Sequence, residues 1–137
     1  MIGLTDIEDI LMADFAALTG IEKVTSETPK ADDKKAVGIN EEIIVVHVKK
    51  QSPDTIFERG FVEVNICVPD FKSGERNRPR LQVLERMAEG MLKTAIVGEF
   101  DGTSYRYSKD SIGIEKETSL KCNYVNVRLL FEIHNIV

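Results

Sequence analysis

The feature that most constrains the fold is a regular alternation near the end of the 137-residue sequence. Val125, Val127, Leu129, Phe131 and Ile133 occupy every second position, and most residues between them are polar. Alternate side chains of a strand point to opposite faces of its sheet, so this period of two predicts a long strand with one buried face. The strand carries no recognisable chemical motif, and the architecture is therefore the main guide to function.

Two amphipathic helices are predicted. Thr5 and Glu8 have the spacing of a capping box, and Gly20 is a typical helix end. The first helix buries, at helical spacing, Ile7, Ile10, Leu11, Phe15 and Leu18. The second helix starts near Pro79, which suits a first turn. Its buried stripe comprises Leu81, Leu84, Ala88, Met91, Leu92 and Ala95. Gly90 lies on or near this stripe, where we expect it to allow a close backbone approach.

The rest of the sequence predicts strands and loops, and the whole chain, residues 1–137, is predicted to be one domain. A short strand over 21–26, a strand over 42–50 with apolar residues on both faces and a strand over 57–68 precede the second helix. We expect an exposed loop over 27–40 and, after the Asp101–Gly102 turn signal, a polar hairpin over 102–119. This order predicts an α+β fold, with a mostly antiparallel sheet of about four to six strands and two helices packed on one face.

Composition narrows the class of protein. Eighteen basic and 23 acidic residues give a net charge of -5, which argues against a dedicated nucleic-acid binder. The first fifteen residues contain no basic leader, so we expect no signal peptide, and no apolar run approaches the roughly 20 residues of a spanning helix. Cys67 and Cys122 form no CxxC motif, and we interpret them as reduced, cytoplasmic packing residues.

Candidate metal and catalytic residues are few. The strong transition-metal ligand types are His47, Cys67, Cys122 and His134, and no two are close along the chain, as structural zinc sites usually require. Glu132 and His134 stand two apart on one predicted strand, where a carboxylate can orient an imidazole for general-base catalysis. No nucleophile is fixed near them, and a cross-strand polar ladder is the preferred interpretation. We therefore expect no catalytic residue, no metal and no cofactor.

One basic cluster surrounds the predicted start of the second helix, and one acidic cluster lies in the first turn of the first helix. The basic residues are Lys72, Arg76, Arg78 and Arg80, and the acidic ones are Asp6, Glu8 and Asp9. A solvated loop is the commoner explanation of such a basic run. The functional interpretation is an intersubunit interface in which the two clusters attract each other, with charge reversal at Arg78 and Arg80 expected to weaken assembly while leaving the fold intact.

The order of elements resembles that of the tail terminator and head–tail joining proteins of long-tailed phages and prophages. An amphipathic helix leads to a strand of the type FVEVNICVPD, which runs into a charged loop and a helix of the type RLQVLERMAEGMLKTA. A polar hairpin follows, and the resemblance closes with the strand VNVRLLFEIHNIV. It covers roughly residues 5–137 and rests on element order and size, without a motif that would carry over functional residues.

The resemblance implies a non-enzymatic structural subunit of a hexameric ring that caps the tail tube and meets the head connector. It also implies a virion component assembled in the bacterial cytoplasm, with no membrane partner and no sequence-specific nucleic-acid binding. Another connector or minor tail subunit would show a related pattern. The alternative from a different class is a small cytoplasmic α+β enzyme or ligand-binding domain that uses the Glu132/His134 face, and a third is a small bacterial protein that dimerises through a sheet edge.

Overall fold

The computed structural model describes residues 2–29, 38–48 and 59–134, and it confirms the α+β class. In chain order the elements are α1 (Leu4–Thr19), β1 (Val24–Thr25), β2 (Ile43–Val48), β3 (Arg59–Pro69), α2 (Arg78–Met91), β4 (Ile96–Phe100), β5 (Thr103–Glu117), a 3-10 turn (Thr118–Leu120) and β6 (Cys122–His134). Most of the predicted loop over 27–40 lies outside the described residues, as do 49–58 and 135–137. No helix in the described ranges is long and apolar enough to cross a membrane.

The six strands form one mixed sheet in the order β1-β2-β3-β6-β5-β4. Val24 and Thr25 of β1 pair in parallel with Ile44 and Val45 of β2, whereas the other neighbouring strands pair in antiparallel fashion. The expectation of a mostly antiparallel sheet is therefore corrected to a mixed sheet. Parallel neighbours need a long connection, and the 26–42 segment between β1 and β2 is long enough to supply one.

The main hydrophobic core confirms the predicted period of two. The five alternating residues of β6 are at most 7% exposed. They belong to one cluster with alternate residues of β2 and β3 and with buried residues of both helices. The helical members include Ile7, Ile10, Leu11, Phe15, Leu81, Leu84 and Ala88, and Leu92 joins them just after α2. Burying a large aliphatic side chain contributes about 1.5–3 kcal/mol, so this cluster is the principal source of stability.

The predicted start of α1 is displaced by two residues, whereas the predicted start of α2 is close to the observed one. α1 begins before the predicted capping box, because the Asp6 Oδ2 atom accepts the Gly3 backbone N–H at 2.8 Å and makes Gly3 the cap. Thr5 consequently lies inside the helix. In α2 Pro79 lies in the first turn, which confirms the prediction. The helix is capped by the Asn77 side chain, which accepts the Arg80 backbone N–H at 3.3 Å.

The predicted polar hairpin over 102–119 is wrong. β5 is a single strand of 15 residues followed by the 3-10 turn, and the hairpin is formed instead by β4 and β5 around Asp101 and Gly102. Both turn residues have positive φ, 49° and 75°. Within β5 the core-facing positions change from odd at Tyr107 to even at Ile112. A β-bulge between Lys109 and Ser111 absorbs this change and lets the strand continue without a reversal of the chain.

A second, smaller cluster covers part of the sheet away from the main core. It contains Ile43, Val45, Cys67, Leu120 and Cys122, with Ile39 and Tyr124 packed against it. Leu120 belongs to the 3-10 turn, so this turn folds over the end of the sheet where β2 begins and β3 ends. The same end of the sheet carries a cleft.

Candidate interaction site at one end of the sheet

Three chain segments enclose a cleft of about 580 Å³ at this end of the sheet. Its walls come from the residues before β2, the loop after β3 and the 3-10 turn after β5. The lining residues are Gly38, Ile39, Asn40, Asp70, Phe71, Lys72, Ser73, Gly74, Lys116, Thr118 and Lys121. Backbone hydrogen bonds hold the three walls together, from the Ile39 N–H to the Leu120 carbonyl (3.0 Å) and from the Asp70 N–H to the Lys121 carbonyl (2.9 Å).

Gly38 is required for this close approach. A Cβ atom at position 38 would collide with the backbone carbonyl of Leu120. Because a carbonyl in a tight turn cannot move aside as a flexible side chain can, any larger residue at position 38 would push the first wall away from the turn. The glycine thus fixes how closely the wall approaches the Leu120 end of the turn.

The loop after β3 is shaped by its own backbone. The Gly74 N–H donates to the Phe71 carbonyl and the Phe71 N–H donates to the Glu75 carbonyl, each at 2.8 Å, and Gly74 has a φ of 90°. These bonds close a compact turn that leaves Lys72 exposed at the cleft and the Phe71 ring 49% exposed at its rim. The cleft therefore combines cationic groups with an apolar edge.

The electrostatic character of the cleft comes from Lys72, Lys116 and Lys121. All three are exposed, and within the described ranges none has a carboxylate within 4.0 Å. The Asp70 carboxylate is already engaged, since it accepts a hydrogen bond from the Asn123 side-chain amide at 2.8 Å. The cleft is consequently a basic surface with unused capacity for carboxylate or phosphate groups.

The predicted basic cluster does not act as one unit. Lys72 lines the cleft, whereas Arg76 and Arg78 line a separate cavity of about 220 Å³ between α2 and β5. Arg80 is used within the chain, because its Nε and Nη2 atoms bind both carboxylate oxygens of Glu42 at 2.7 and 3.0 Å. The hydrogen bonds that Arg80 donates to Glu42 raise the pKa of Arg80. Arg80 thus joins the start of α2 to the start of β2, so we now expect reversal of its charge to affect the fold as well as assembly.

The acidic cluster is held away from the cleft by the length of α1. Residues just after α1 lie near the basic end, because the Lys23 carbonyl accepts the Ile44 N–H at 2.9 Å and the Lys23 ammonium binds Glu41 at 3.0 Å. The 16 residues of α1 span roughly 24 Å at 1.5 Å per residue. The acidic residues Asp6, Glu8 and Asp9, in the first two turns, therefore lie at the far end of the helix. Asp6 is occupied with the Gly3 cap, Glu8 is half-buried and Asp9 is exposed.

Sequence reasoning missed Lys116 and Lys121 as members of the basic site. They are far from Lys72 along the chain, and only the pairing of β6 with both β3 and β5 brings the three together. The one available signal was the clustering of lysines around the predicted end of the polar segment 102–119. Because that segment was predicted as a hairpin, its end could not be assigned to the same edge as Lys72.

The residues of the alternative enzymatic interpretation lie elsewhere. Glu132 is half-buried opposite Arg59 and Arg106, and His134 is exposed opposite Ser104 at the end of β6. Neither residue lines the cleft or the cavities of about 120, 200 and 220 Å³. In the described part of the chain, no three His, Cys, Asp or Glu side chains are grouped so that they could hold a metal ion.

Comparison with known proteins supports the fold. One solved structure aligns over 96% of this chain and 92% of its own, with a TM-score of 0.56 and 16% sequence identity. At that identity the likeness shows a shared fold alone. No model of a known protein family matches the sequence, and no curated protein is similar to it.

Proposed function

We propose that this protein is a non-enzymatic structural subunit that joins copies of itself head to tail into a ring, similar to the tail terminators at the head–tail junction of long-tailed phages. Element order in the sequence motivates the assignment to this class of protein. The observation that carries the assembly mode is the separation of two complementary charged surfaces on one chain. The basic surface is the cleft of Lys72, Lys116 and Lys121, and the acidic surface is the N-terminal end of α1, with Asp6 in its first turn and Glu8 and Asp9 in its second.

Separated surfaces of opposite charge suit a head-to-tail contact. In such a contact two different patches of one subunit meet, and the arrangement closes into a ring when the rotation between subunits fits. A twofold dimer would need both patches on one self-complementary face, whereas a head-to-tail contact uses patches on different sides of the subunit. The roughly 24 Å length of α1 prevents the two clusters from neutralising each other within one subunit.

The rest of the fold suits a structural role in this proposal. In this proposal both helices cover one face of the mixed six-stranded sheet, and the other face and the sheet ends remain for the tail tube and the head connector. A net charge of -5 disfavours tight binding to DNA that passes through a ring. We place the assembly in the bacterial cytoplasm and the finished ring in the virion, with six copies per ring, no cofactor and no membrane partner.

A charge-exchange experiment tests the contact. One variant carries Glu8→Lys and Asp9→Lys, a second carries Lys72→Glu and Lys116→Glu, and a third combines all four changes. Each double variant places like charges opposite each other and should weaken assembly at least tenfold, about 1.4 kcal/mol per contact. The combined variant restores opposite charges and should recover most of the assembly, measured by light scattering at one ionic strength.

The controls separate assembly from folding. Asp6 and Arg80 stay unchanged because they stabilise the chain itself. All three variants should have the circular dichroism spectrum of the parent. Loss of assembly in the double variants without recovery in the combined variant would show that these surfaces do not meet each other, and unchanged assembly in both double variants would exclude the contact altogether.

A further inference from the structure

Cys67 and Cys122 lie beside each other on neighbouring antiparallel strands. Cys67 of β3 is paired with Tyr124 of β6, so Cys122 stands two residues from its direct partner and on the same face of the sheet. Both residues are free cysteines in the second hydrophobic cluster, and they are 6% and 0% exposed, respectively. The fold thus places two thiols together that are more than fifty residues apart in the sequence.

The two sulfur atoms are not equivalent. Contact between the two thiols lowers the pKa of Cys67 and raises that of Cys122. The Cys67 thiol also lies 4.0 Å from the Asn65 carbonyl, to which it donates a weak hydrogen bond. The thiolate is the reactive form of cysteine, so the lowered pKa of Cys67 agrees with a role as the nucleophile, which its position in the fold supports independently.

Access also favours Cys67. Its side chain contributes to the wall of a cavity of about 200 Å³ on the outer face of the sheet, together with His47, Glu63 and Tyr124. Cys122 is fully buried and is not among the lining residues of that cavity. A small polar reagent that enters the cavity therefore meets Cys67 first and reaches Cys122 only through it.

We propose that Cys67 and Cys122 form an oxidative modification site, at which a peroxide converts the thiol pair into an intramolecular disulfide with Cys67 as the attacking sulfur. The Cys67 thiolate attacks one peroxide oxygen, the O–O bond breaks, and the leaving hydroxide takes up a proton to become water. The resulting sulfenic acid is attacked by the Cys122 sulfur, the S–O bond breaks, and a second water leaves with the Cys122 proton. Two thiols thereby lose two electrons, and one hydrogen peroxide is reduced to two waters.

The strand geometry allows the bond to form with a small adjustment. Diagonal neighbours of an antiparallel pair are about 7–8 Å apart, whereas the Cα atoms of a disulfide are at most about 7 Å apart, so the backbone must move slightly inward. Cys122 is the first residue of β6 and follows Lys121, whose φ is 49°, so the adjustment falls at a strand end rather than inside the sheet. The bond would close a long loop of the unfolded chain and should raise the melting temperature by roughly 5–10 °C.

The experiment uses the folded, reduced protein and hydrogen peroxide as the probe. The wild-type chain should lose two hydrogen atoms, about 2 Da by intact mass, and a non-reduced digest should contain the peptides of Cys67 and Cys122 joined to each other. Two matched variants, Cys67→Ser and Cys122→Ser, are treated with methyl methanethiosulfonate, a thiol reagent small enough for the cavity. Cys122→Ser should gain one methylthio group on Cys67 in the native state, whereas Cys67→Ser should gain none until urea exposes Cys122.

Three results would overturn the proposal. The wild-type protein could keep both thiols at a peroxide concentration that oxidises the same chain in urea. The disulfide could appear only between chains, as a mass that depends on protein concentration. The native Cys67→Ser variant could react as fast as Cys122→Ser, which would remove the assigned role of Cys67. The wild-type measurement involves no substitution, so it stands even if a variant folds poorly.

Discussion

At the scale of single residues, the most informative contact is the one between Tyr107 and Asp14. The Tyr107 hydroxyl donates to the Asp14 Oδ2 atom at 2.7 Å, and its ring stacks at 5.7 Å from that of Phe131. Tyr107 is fully buried, so this hydrogen bond ties α1 to β5 through the main core. A hydrogen bond to a charged acceptor in such a place stabilises more than one at the surface.

Replacement of Tyr107 by Phe should lower the free energy of unfolding by about 1.5–3 kcal/mol, measured by urea denaturation. The matched control is Tyr124→Phe, which removes a hydrogen bond of 2.6 Å to Glu115 at an exposed site. That change should cost no more than about 0.5 kcal/mol, since solvent replaces the lost partner. Equal costs for the two variants would contradict the importance assigned to burial.

The raised pKa of Tyr107 predicts that the free energy of unfolding decreases at alkaline pH. Burial and the Asp14 carboxylate raise its pKa in the folded protein, whereas the same phenol ionises near pH 10 when the chain is unfolded. The stability is therefore complete below pH 10 and declines above it, by about 1.4 kcal/mol per pH unit for each such group. Urea denaturation between pH 9 and 11 should show a shallower decline in Tyr107→Phe. An identical decline in both proteins would assign the effect to other groups.

At the scale of elements, the Arg80–Glu42 pair fixes α2 against β2. Arg80→Ala should destabilise the fold by about 1 kcal/mol, because it removes a bidentate, partly buried pair and leaves the Glu42 carboxylate unmatched. Arg78→Ala, two residues earlier and exposed, should change stability by less than about 0.5 kcal/mol. Thermal unfolding of the two variants checks this difference, and a larger effect at Arg78 would contradict it.

In the same helix, substitution of Gly90 is expected to raise the free energy of unfolding rather than lower it. The sequence predicted a close backbone approach there, but a Cβ at position 90 would have no atom within 4 Å. Gly90→Ala should therefore raise the free energy of unfolding by about 0.5–1 kcal/mol through helix propensity alone. The measurement is chemical denaturation beside the parent protein, and a destabilised variant would show that position 90 is more crowded than the backbone indicates.

Elements with a strong hydrophobic period were predictable from sequence. Features that depend on which distant strand or side chain a residue pairs with were not. The apolar stripes of α1, α2, β3 and β6 are local patterns, and the buried residues follow them. The parallel position of β1 depends on the path of a long connection, which no local pattern encodes. The β-bulge in β5 and the use of Arg80 by Glu42 likewise depend on neighbours distant in sequence, and both altered the predicted site.

At the scale of the whole molecule, the basic and acidic clusters are too far apart to neutralise each other within one subunit. Lysines from three segments meet at one end of the sheet, and the acidic turn stands a helix length away. Salt should therefore weaken assembly, because both surfaces are exposed and screened above roughly 0.1 M ionic strength. A particle mass that falls between 50 and 500 mM salt would agree with this expectation, and a mass that rises with salt would indicate an apolar interface instead.

The most direct test of the central claim is the mass and shape of the purified protein across a wide concentration range, by light scattering with negative-stain images. Head-to-tail closure predicts annular particles of about 92 kDa, six times the 15.4 kDa chain. A stable twofold dimer without rings, or a chain that stays monomeric up to millimolar concentration, would contradict the ring and direct attention to the outer sheet face around Glu132 and His134.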